Sequence, residues 1–385
     1  MHHWISNHFY DFKKRRWWWD VDPYLFWSVI LLLSLGLVMV LSASMTTALM
    51  SFSDPFFFFR KHVRGIVIAL FFFWLATNVK MGSLQRMSSK LLLVAVALLL
   101  VVFLPYIGKM AGGASRWIYL GSFNFQPSEL AKLSLILYMS NTLVTHPHRA
   151  QDFVYGVIPF LLVLGLMGVL VLMEPDMGTA LFLGIMTFVM LFLGGRRVSH
   201  LLLPAIAAIP VLIFLIYSGH NAYWQDRIES FIDPWKEPLG KGFQIIQSLI
   251  AIGTGGILGR GLGESRQKFF YLPDRHTDFI FAIIGEELGI VGTIGVVILF
   301  GIILWRGWTI ACRCGDEFQS IFALGLTLNI VLQALINMCA VLRIVPVTGI
   351  TLPFVSYGNS SVLISLVEVG LLFNIAQHQK VTQNG

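Results

Sequence analysis

Charge is the first thing this sequence is short of. Asp, Glu, Lys and Arg make up 12% of its 385 residues against 56% hydrophobic ones, and the mean hydropathy is +0.76. That balance excludes an ordinary water-soluble globule and places the chain in a membrane. Cysteine is scarce as well: Cys312 and Cys314 fall in one connecting loop and Cys339 in an apolar run. Three such residues exclude a disulfide framework and suit reduced thiols, and a lone C-x-C is weak evidence for a metal. There is no G-K-[ST] phosphate loop, no soluble domain at either end, no low-complexity linker and no tandem repeat. The chain is therefore expected to be one helical domain that needs no nucleotide.

Long apolar runs are what the sequence has in quantity. They recur at 25–45, 62–78, 90–107, 128–144, 154–173, 176–194, 198–217, 279–304, 318–342 and 353–376, each near the ~20 residues that cross a bilayer core. The expected fold is an all-α polytopic membrane protein of about ten transmembrane helices. Residues 1–24 form a basic N-terminal segment, 25–376 the ten-helix domain and 377–385 a C-terminal tail. The basic run Lys13-Lys14-Arg15-Arg16 and Trp17-Trp18-Trp19 precede a full-length apolar run without a small-residue cleavage site, so the first span reads as a signal anchor. An even number of spans puts both termini on one side. Loops on that side hold Lys80, Arg86, Lys90, Arg149, Arg196, Arg197, Arg306 and Arg313, more basic residues than the short loops opposite. The positive-inside bias makes that side the cytoplasm. The same distribution accounts for the net charge of +7 without nucleic acid.

One interruption, residues 218–277 between the seventh and eighth spans, is far longer than an ordinary connection and falls outside the membrane. Its aromatic residues, among them Trp224, Phe231, Trp235, Phe243 and Phe269-Phe270-Tyr271, argue against disorder. Within it GFQIIQSLIAIG is too short to span and reads as a helix at or dipping into the outer interface. The GTGGILGRGLG that follows reads either as flexible turns or as a backbone anion nest.

Several charged groups begin helices on the outer side. Asp278 opens the eighth span, as an N-cap or as a chemical group. It stands above a stripe of Gly285, Gly289, Gly292 and Gly295 suited to close helix packing. Glu286 and Glu287, two turns deeper, require partners and read first as structural ion pairs. Glu129 and Lys132 lie three apart on one face of the fourth span, as an internal pair or as a cation site for an anionic ligand. Arg116 beside Trp117 combines a phosphate-binding group with a headgroup-level anchor. Asp176 starts the sixth span, where a cap is the simplest role. The coincidence of Arg116, Glu129, Lys132, Asp176 and Asp278 on one side argues for a polar cavity opening outward. TLPFVSYGNSS adds Ser356, Tyr357, Asn359, Ser360 and Ser361 at membrane depth, either lining that cavity or bonding helix to helix. Glu368 has no evident partner in the sequence.

GASRWI, FQPSELAKL, EPDMGTALF, PLGKGFQIIQSLIAIGTGGILGRGLG, LPDRHTDFIFAIIGEELG and TLPFVSYGNSS occur in that order over nearly the whole chain from about residue 25. Together they resemble the SEDS family of polytopic peptidoglycan glycosyltransferases, and ESRQKFFYLP, IIGEELG and TLPFVSYG resemble its division (FtsW) branch more than its elongation (RodA) branch. Two departures are Glu368 and Asn359. The family pattern reads S-Y-G-G-S-S at the latter, which bears on local backbone because glycine alone freely takes positive φ. The resemblance implies polymerisation of lipid II into β-1,4 glycan strands outside the cytoplasmic membrane, by inversion and without a covalent enzyme intermediate. It implies Asp278 as the base or acceptor-positioning residue, Glu129 and Lys132 as a functional pair, and Arg116, Asp176, Arg275, His276, Ser356, Tyr357 and Ser360 as cavity groups. It further implies a divalent cation, Mg²⁺ by preference, with Asp278, Asp176 and Glu129 as candidate ligands. The implied partners are a class B penicillin-binding protein transpeptidase and other division proteins at the septum. Intramembrane charges also suit a lipid flippase or ion-coupled transporter, although a transport relay would cross the midplane. A scaffold that only recruits a transpeptidase would leave the cavity charges unused.

Overall fold

A computed structural model describes residues 22–383 apart from 105–107, 112–113, 121–122, 218–221, 269–271 and 273–274. The basic and tryptophan runs at 13–19 and the aromatic residues 269–271 lie outside the described residues. All ten expected spans are helical: α1 (Pro23–Phe52), α2 (Phe57–Asn78), α4 (Ser88–Val101), α5 (Pro127–Thr145), α7 (Ile158–Met173), α8 (Met177–Leu193), α9 (Val198–Tyr217), α12 (Ile280–Cys312), α13 (Glu317–Val341) and α14 (Asn359–Gln383). The short helices α3 (Met81–Arg86) and α6 (Phe153–Gly156) lie in connections, and α10 (Ala222–Ile232) and α11 (Phe243–Gly255) within the long connection before α12. By length and composition α1, α12, α13 and α14 are each apolar enough to cross a membrane unaided. The shorter helices complete the bundle, in which α14 packs along α2, α12 lies against α1, α11 and α13, and α5 against α4 and α13.

Helix starts follow local chemistry. Pro23 and Pro127 take the first turns of α1 and α5, where no amide is missed. Asp22 and Asp316 cap α1 and α13 by accepting from Leu25 N (3.1 Å) and Gln319 N (2.8 Å). The last element differs from expectation at both ends. Residues 353–358 are irregular, with Phe354 at φ 64°, and the helix starts only at Asn359. It then runs to Gln383, through the stretch that composition assigns to a tail.

A three-stranded antiparallel sheet, β1 (Gly108–Ala111), β2 (Ala114–Leu120) and β3 (Phe123–Phe125), fills the connection before α5. It pairs Lys109 with Trp117 and Ile118 with Phe125. Strands this short in a glycine-containing loop leave no alternating pattern to read, so the sequence gives no sign of the sheet. It leaves the all-α class unchanged and fixes Arg116.

Odd-numbered connections meet one another. Arg116 of the third connection bonds the carbonyls of Glu174 and Pro175 in the fifth. Arg227 of the seventh bonds Val347 O of the ninth (2.7 Å), and Phe58 at the start of α2 meets His276 (4.9 Å between rings). At the other face Arg306, near the end of α12, pairs with Asp22 at the start of α1.

Helix α12 is broken at Gly289, whose φ of 66° and ψ of −160° are non-helical. The glycine-rich segment supplies hydrogen bonds around the break: Arg260 N and Gly261 N donate to the carbonyls of Glu286 and Glu287 (both 3.0 Å). Ile290 N and Val291 N donate to Gly256 O (3.0 Å) and Ile257 O (3.2 Å). The segment is therefore a splint for an interrupted helix; neither free turns nor an anion nest describes it, because its Arg260 and Gly261 amides are taken. Glu286 and Glu287 serve the same joint. Glu286 accepts from Ser265 Oγ (2.5 Å), Arg266 N (3.0 Å) and Gln267 N (3.3 Å) and lies 3.7 Å from Arg260. Glu287 accepts from Ser42 Oγ (2.6 Å) and lies 3.7 Å from Lys268. Both are the structural pairs expected of buried carboxylates.

Candidate functional site

The first residue before α12 is Phe279, so Asp278 stands one residue ahead of the helix start. Its segment is held residue by residue through its carbonyls. His276 O accepts from Tyr357 N (2.9 Å), Thr277 O from Ser356 Oγ (2.6 Å) and Asp278 O from Asn337 Nδ2 (2.7 Å). Ser356 Oγ also accepts from Leu352 N (2.9 Å), and Asn337 Nδ2 also reaches Ile350 O (2.7 Å). The irregular 350–358 stretch and α13 thus form a rigid seat for Asp278, and half-burial keeps its carboxyl reachable.

Beside this seat lies a cavity of about 270 Å³ lined by the start of α8, by α10 and by the connection before α14. Arg116, Asp176 and Arg227 supply its charge, and Phe182, Trp224 and Ile336 are among its apolar walls. Asp278 stands just beyond the wall. Gly349, at φ +77°, neighbours both it and Arg227: a Cβ there would sit 3.5 Å from both Arg227 Nη atoms and 3.7 Å from Asp278 Oδ2. Gly349 suits this point because its positive φ disfavours any side chain; the space beside it would otherwise admit a methyl group in ordinary contact.

Glu129 and Lys132 form the expected pair at 2.9 Å, both buried, and Lys132 Nζ also donates to Gln333 Oε1 (2.6 Å). They stand behind Phe182, whose ring centroid is 5.1 Å from Lys132 Nζ, and outside the cavity wall. Gln333 Nε2 continues to Thr351 O (3.1 Å) and Ser361 Oγ (3.2 Å). Glu368 gains a partner the sequence did not disclose, Asn329 Nδ2 at 2.7 Å.

Asn329, Gln333 and Asn337 were missed, and a signal was present. Spaced four apart in an apolar helix, they form one polar ladder along a face of α13. Its rungs hold Glu368, then Lys132, then Asp278. Arg227 was missed because α10 sits inside a loop where a single Arg carries no pattern.

The single outward cavity expected to hold all the charged groups is thus corrected: Arg116 and Asp176 line it, while Asp278 and the Glu129–Lys132 pair flank it. Asp176 is also the cap of α8, its two oxygens accepting from Thr179 N (3.1 Å) and Thr179 Oγ1 (2.8 Å). Arg275 is a strut, donating to Ala43 O (3.0 Å), Thr46 Oγ1 (3.2 Å) and Thr47 Oγ1 on α1. Ser360 Oγ accepts from Gln126 N and donates to Asn124 O, both at 2.8 Å, tying α14 to the lead into α5. Ser356 and Ser360 therefore serve backbone, which makes them scaffolding of the site. His276 and Tyr357 pack ring to ring at 5.5 Å, and burial, with Arg275 adding to it, pushes His276 down to about 4, leaving a neutral imidazole at pH 7. Asn359 needs no positive φ, so its departure from glycine carries no backbone strain.

Glu174 is a further group that sequence reading passed over as a turn. It is fully buried with neither carboxyl oxygen hydrogen-bonded. Burial chiefly, and then neighbouring Asp176, raise it to about 8 against the opposing pull of Arg116.

The donor sets do not make a preformed metal centre. Among the described residues no three His, Cys, Asp or Glu side chains converge. Of the candidate ligands, Asp176 has both oxygens engaged by Thr179, and Glu129 is engaged by Lys132.

These features define a polytopic integral membrane protein with a charged site at one membrane face. A family model described as "Cell cycle protein", for FtsW, RodA and SpoVE, matches residues 23–381, and the chain belongs to that family. It is 41% identical over 351 residues to a probable peptidoglycan glycosyltransferase FtsW of Geobacter sp. (strain M18), covering 91% of this chain and 95% of that one. It is 40% identical over 354 residues to the stage V sporulation protein E of Bacillus subtilis (strain 168), with 91% and 95% covered. A solved structure described as structural coordination of polymerization and crosslinking by a peptidoglycan synthase complex superposes with a TM-score of 0.77 at 29% identity, covering 94% of this chain and 99% of that one. The rod shape determining protein RodA of Thermus thermophilus superposes with a TM-score of 0.69 at 27% identity, with 94% and 98% covered.

Proposed function

We propose that this protein is a peptidoglycan glycosyltransferase that polymerises lipid II at the outer face of the cytoplasmic membrane. The observation that carries the reading is the placement of Asp278: its segment is fixed by three carbonyl bonds, and it stands beside Gly349 and Arg227 at the edge of a cavity that Arg116, Asp176 and Arg227 line. Glycosyl transfer needs a base for the acceptor 4-hydroxyl and positive charge for the departing pyrophosphate. Asp278 takes the hydroxyl proton as the oxygen attacks the donor anomeric carbon. The C–O bond to pyrophosphate breaks, and its electron pair leaves with the phosphate, whose charge meets Arg116. Attack on an α-linked donor from the opposite face gives the β-1,4 product in one displacement. The activated donor carries the energy, so no nucleotide enters.

Mg²⁺ enters this proposal only as a passenger on the pyrophosphate, where phosphate oxygens and water need one or two protein carboxylates to complete its shell. No step above depends on it. Termini in the cytoplasm, a role at the division septum and a class B penicillin-binding protein partner complete the reading. The last is supported by the similarity to a synthase complex that couples polymerization to crosslinking. Purified protein with its transpeptidase partner, lipid II and Mg²⁺ is expected to yield a ladder of glycan products on a gel. Lipid II translocated across vesicles with no ladder would favour a transporter and overturn the proposal.

A further inference from the structure

Arg227 lies on α10, in the middle of the long outer loop, and two observations set it apart from the other arginines near the site. Its Nη1 is anchored on Val347 O at 2.7 Å. Its two Nη atoms and Asp278 Oδ2 also approach one methyl-sized space, that of the side chain Gly349 lacks. The other ionisable groups on the elements around Asp278 have bonds of their own or are uncharged. Arg275, on the same segment, donates to Ala43, Thr46 and Thr47. His276 is a neutral imidazole among Phe58 and Tyr357. Across the cavity Arg116 holds the Glu174–Pro175 carbonyls, and Asp176 is turned to Thr179.

We propose that Arg227 is the positioning residue of the base, holding the Asp278 carboxylate ionised and oriented toward the acceptor before the acceptor arrives. The inference rests on the polymerase reading above. A guanidinium suits this work: it keeps its charge at any working pH, and its planar fork bonds the Val347 carbonyl while both Nη atoms border the space that Asp278 Oδ2 also borders. Glycine at 349 puts no side chain into that space. Helix α10 is thereby part of the catalytic frame, which gives the long loop a function beyond anchorage.

The test is the pH dependence of kcat/KM for lipid II polymerisation by the intact complex with its transpeptidase. An opposite charge within a few ångströms lowers a carboxyl's titration by about 1–3 units. Arg227→Gln is therefore expected to move the acidic limb of the profile upward by about one pH unit or more. Arg343→Gln is the control, because Arg343 holds the same helix through Phe231 O (3.1 Å) and Ile232 O (2.9 Å) without facing Asp278. It is expected to leave the limb in place. An Arg227→Gln limb at the wild-type position, or an equal shift in Arg343→Gln, overturns the proposal. If Arg227→Gln fails to reach the membrane, Arg227→Lys decides. Keeping the charge without the fork, it should hold the limb in place while kcat falls roughly tenfold or more, and a wild-type kcat overturns the proposal. Asp278→Asn measured alongside separates the two ideas: polymer from that variant removes the base itself, whereas an inactive Asp278→Asn with an unshifted Arg227→Gln removes only the role of Arg227.

Discussion

Glu174 holds a carboxyl fully buried and without a hydrogen bond, which is tolerable only if it keeps its proton. Raised from 4.5 to about 8, it binds more protons folded than unfolded between those values. Its contribution to stability is therefore fully present below about pH 4.5 and is lost as pH rises toward 8. Glu174→Gln mimics the protonated form, and thermal unfolding of the purified protein across pH 5 to 8 should show a flatter decline in the variant than in the wild type. Equal slopes would remove the buried acid from the account. The Glu129–Lys132 pair behaves differently, because each partner leaves a stranded charge when the other goes. Either Glu129→Gln or Lys132→Met should cost about 3–5 kcal/mol, read as a lower melting temperature. The double variant, with no orphaned charge, should recover part of that loss and none of the activity. Additive losses would contradict the coupling. The pair itself was legible, since i,i+3 charges in an apolar helix have few alternatives. Its continuation through Gln333 was not, because the two helices meet only in three dimensions.

At the scale of elements, α12 is two helices joined at Gly289. Its φ of 66° is strained for any other residue, and an added Cβ would collide with the Gly259 nitrogen. Gly289→Ala should therefore lower the melting temperature sharply, the backbone conformation alone costing about 1–3 kcal/mol. Gly301→Ala, lower in the same helix where an added Cβ would meet nothing within 4 Å, should be close to neutral. Similar melting of the two variants would show that the splint does not bear on the fold. The sequence announced the glycines but not their purpose. A run such as GTGGILGRGLG permits many backbones, and only contact with the carbonyls of Glu286 and Glu287 selects one. The ten spans were legible for the opposite reason: burial in lipid imposes long apolar runs regardless of tertiary partners.

Across the whole molecule, the side of each loop decides whether Asp278 meets a substrate outside the cytoplasmic membrane. With Cys312, Cys314 and Cys339 replaced, a cysteine at Leu239 in the outer loop should react with an impermeant maleimide in intact cells, and one at Met87 beside α3 should not. The reverse pattern would put the cavity in the cytoplasm. Charge bias and span count carry the sequence's expectation of sidedness, whereas the placement of the Glu129–Lys132 pair behind Phe182, off the cavity, depends on helix packing that no local pattern encodes. The central claim is that Asp278 accepts the acceptor's proton, and one substitution tests it most directly. Asparagine keeps the shape and removes the proton-accepting group, and loss of a general base costs about 10²–10⁴ in rate. Measured as glycan product from lipid II, with membrane level and partner binding checked as normal, Asp278→Asn is predicted to give no detectable polymer; polymer at near wild-type yield would contradict the account.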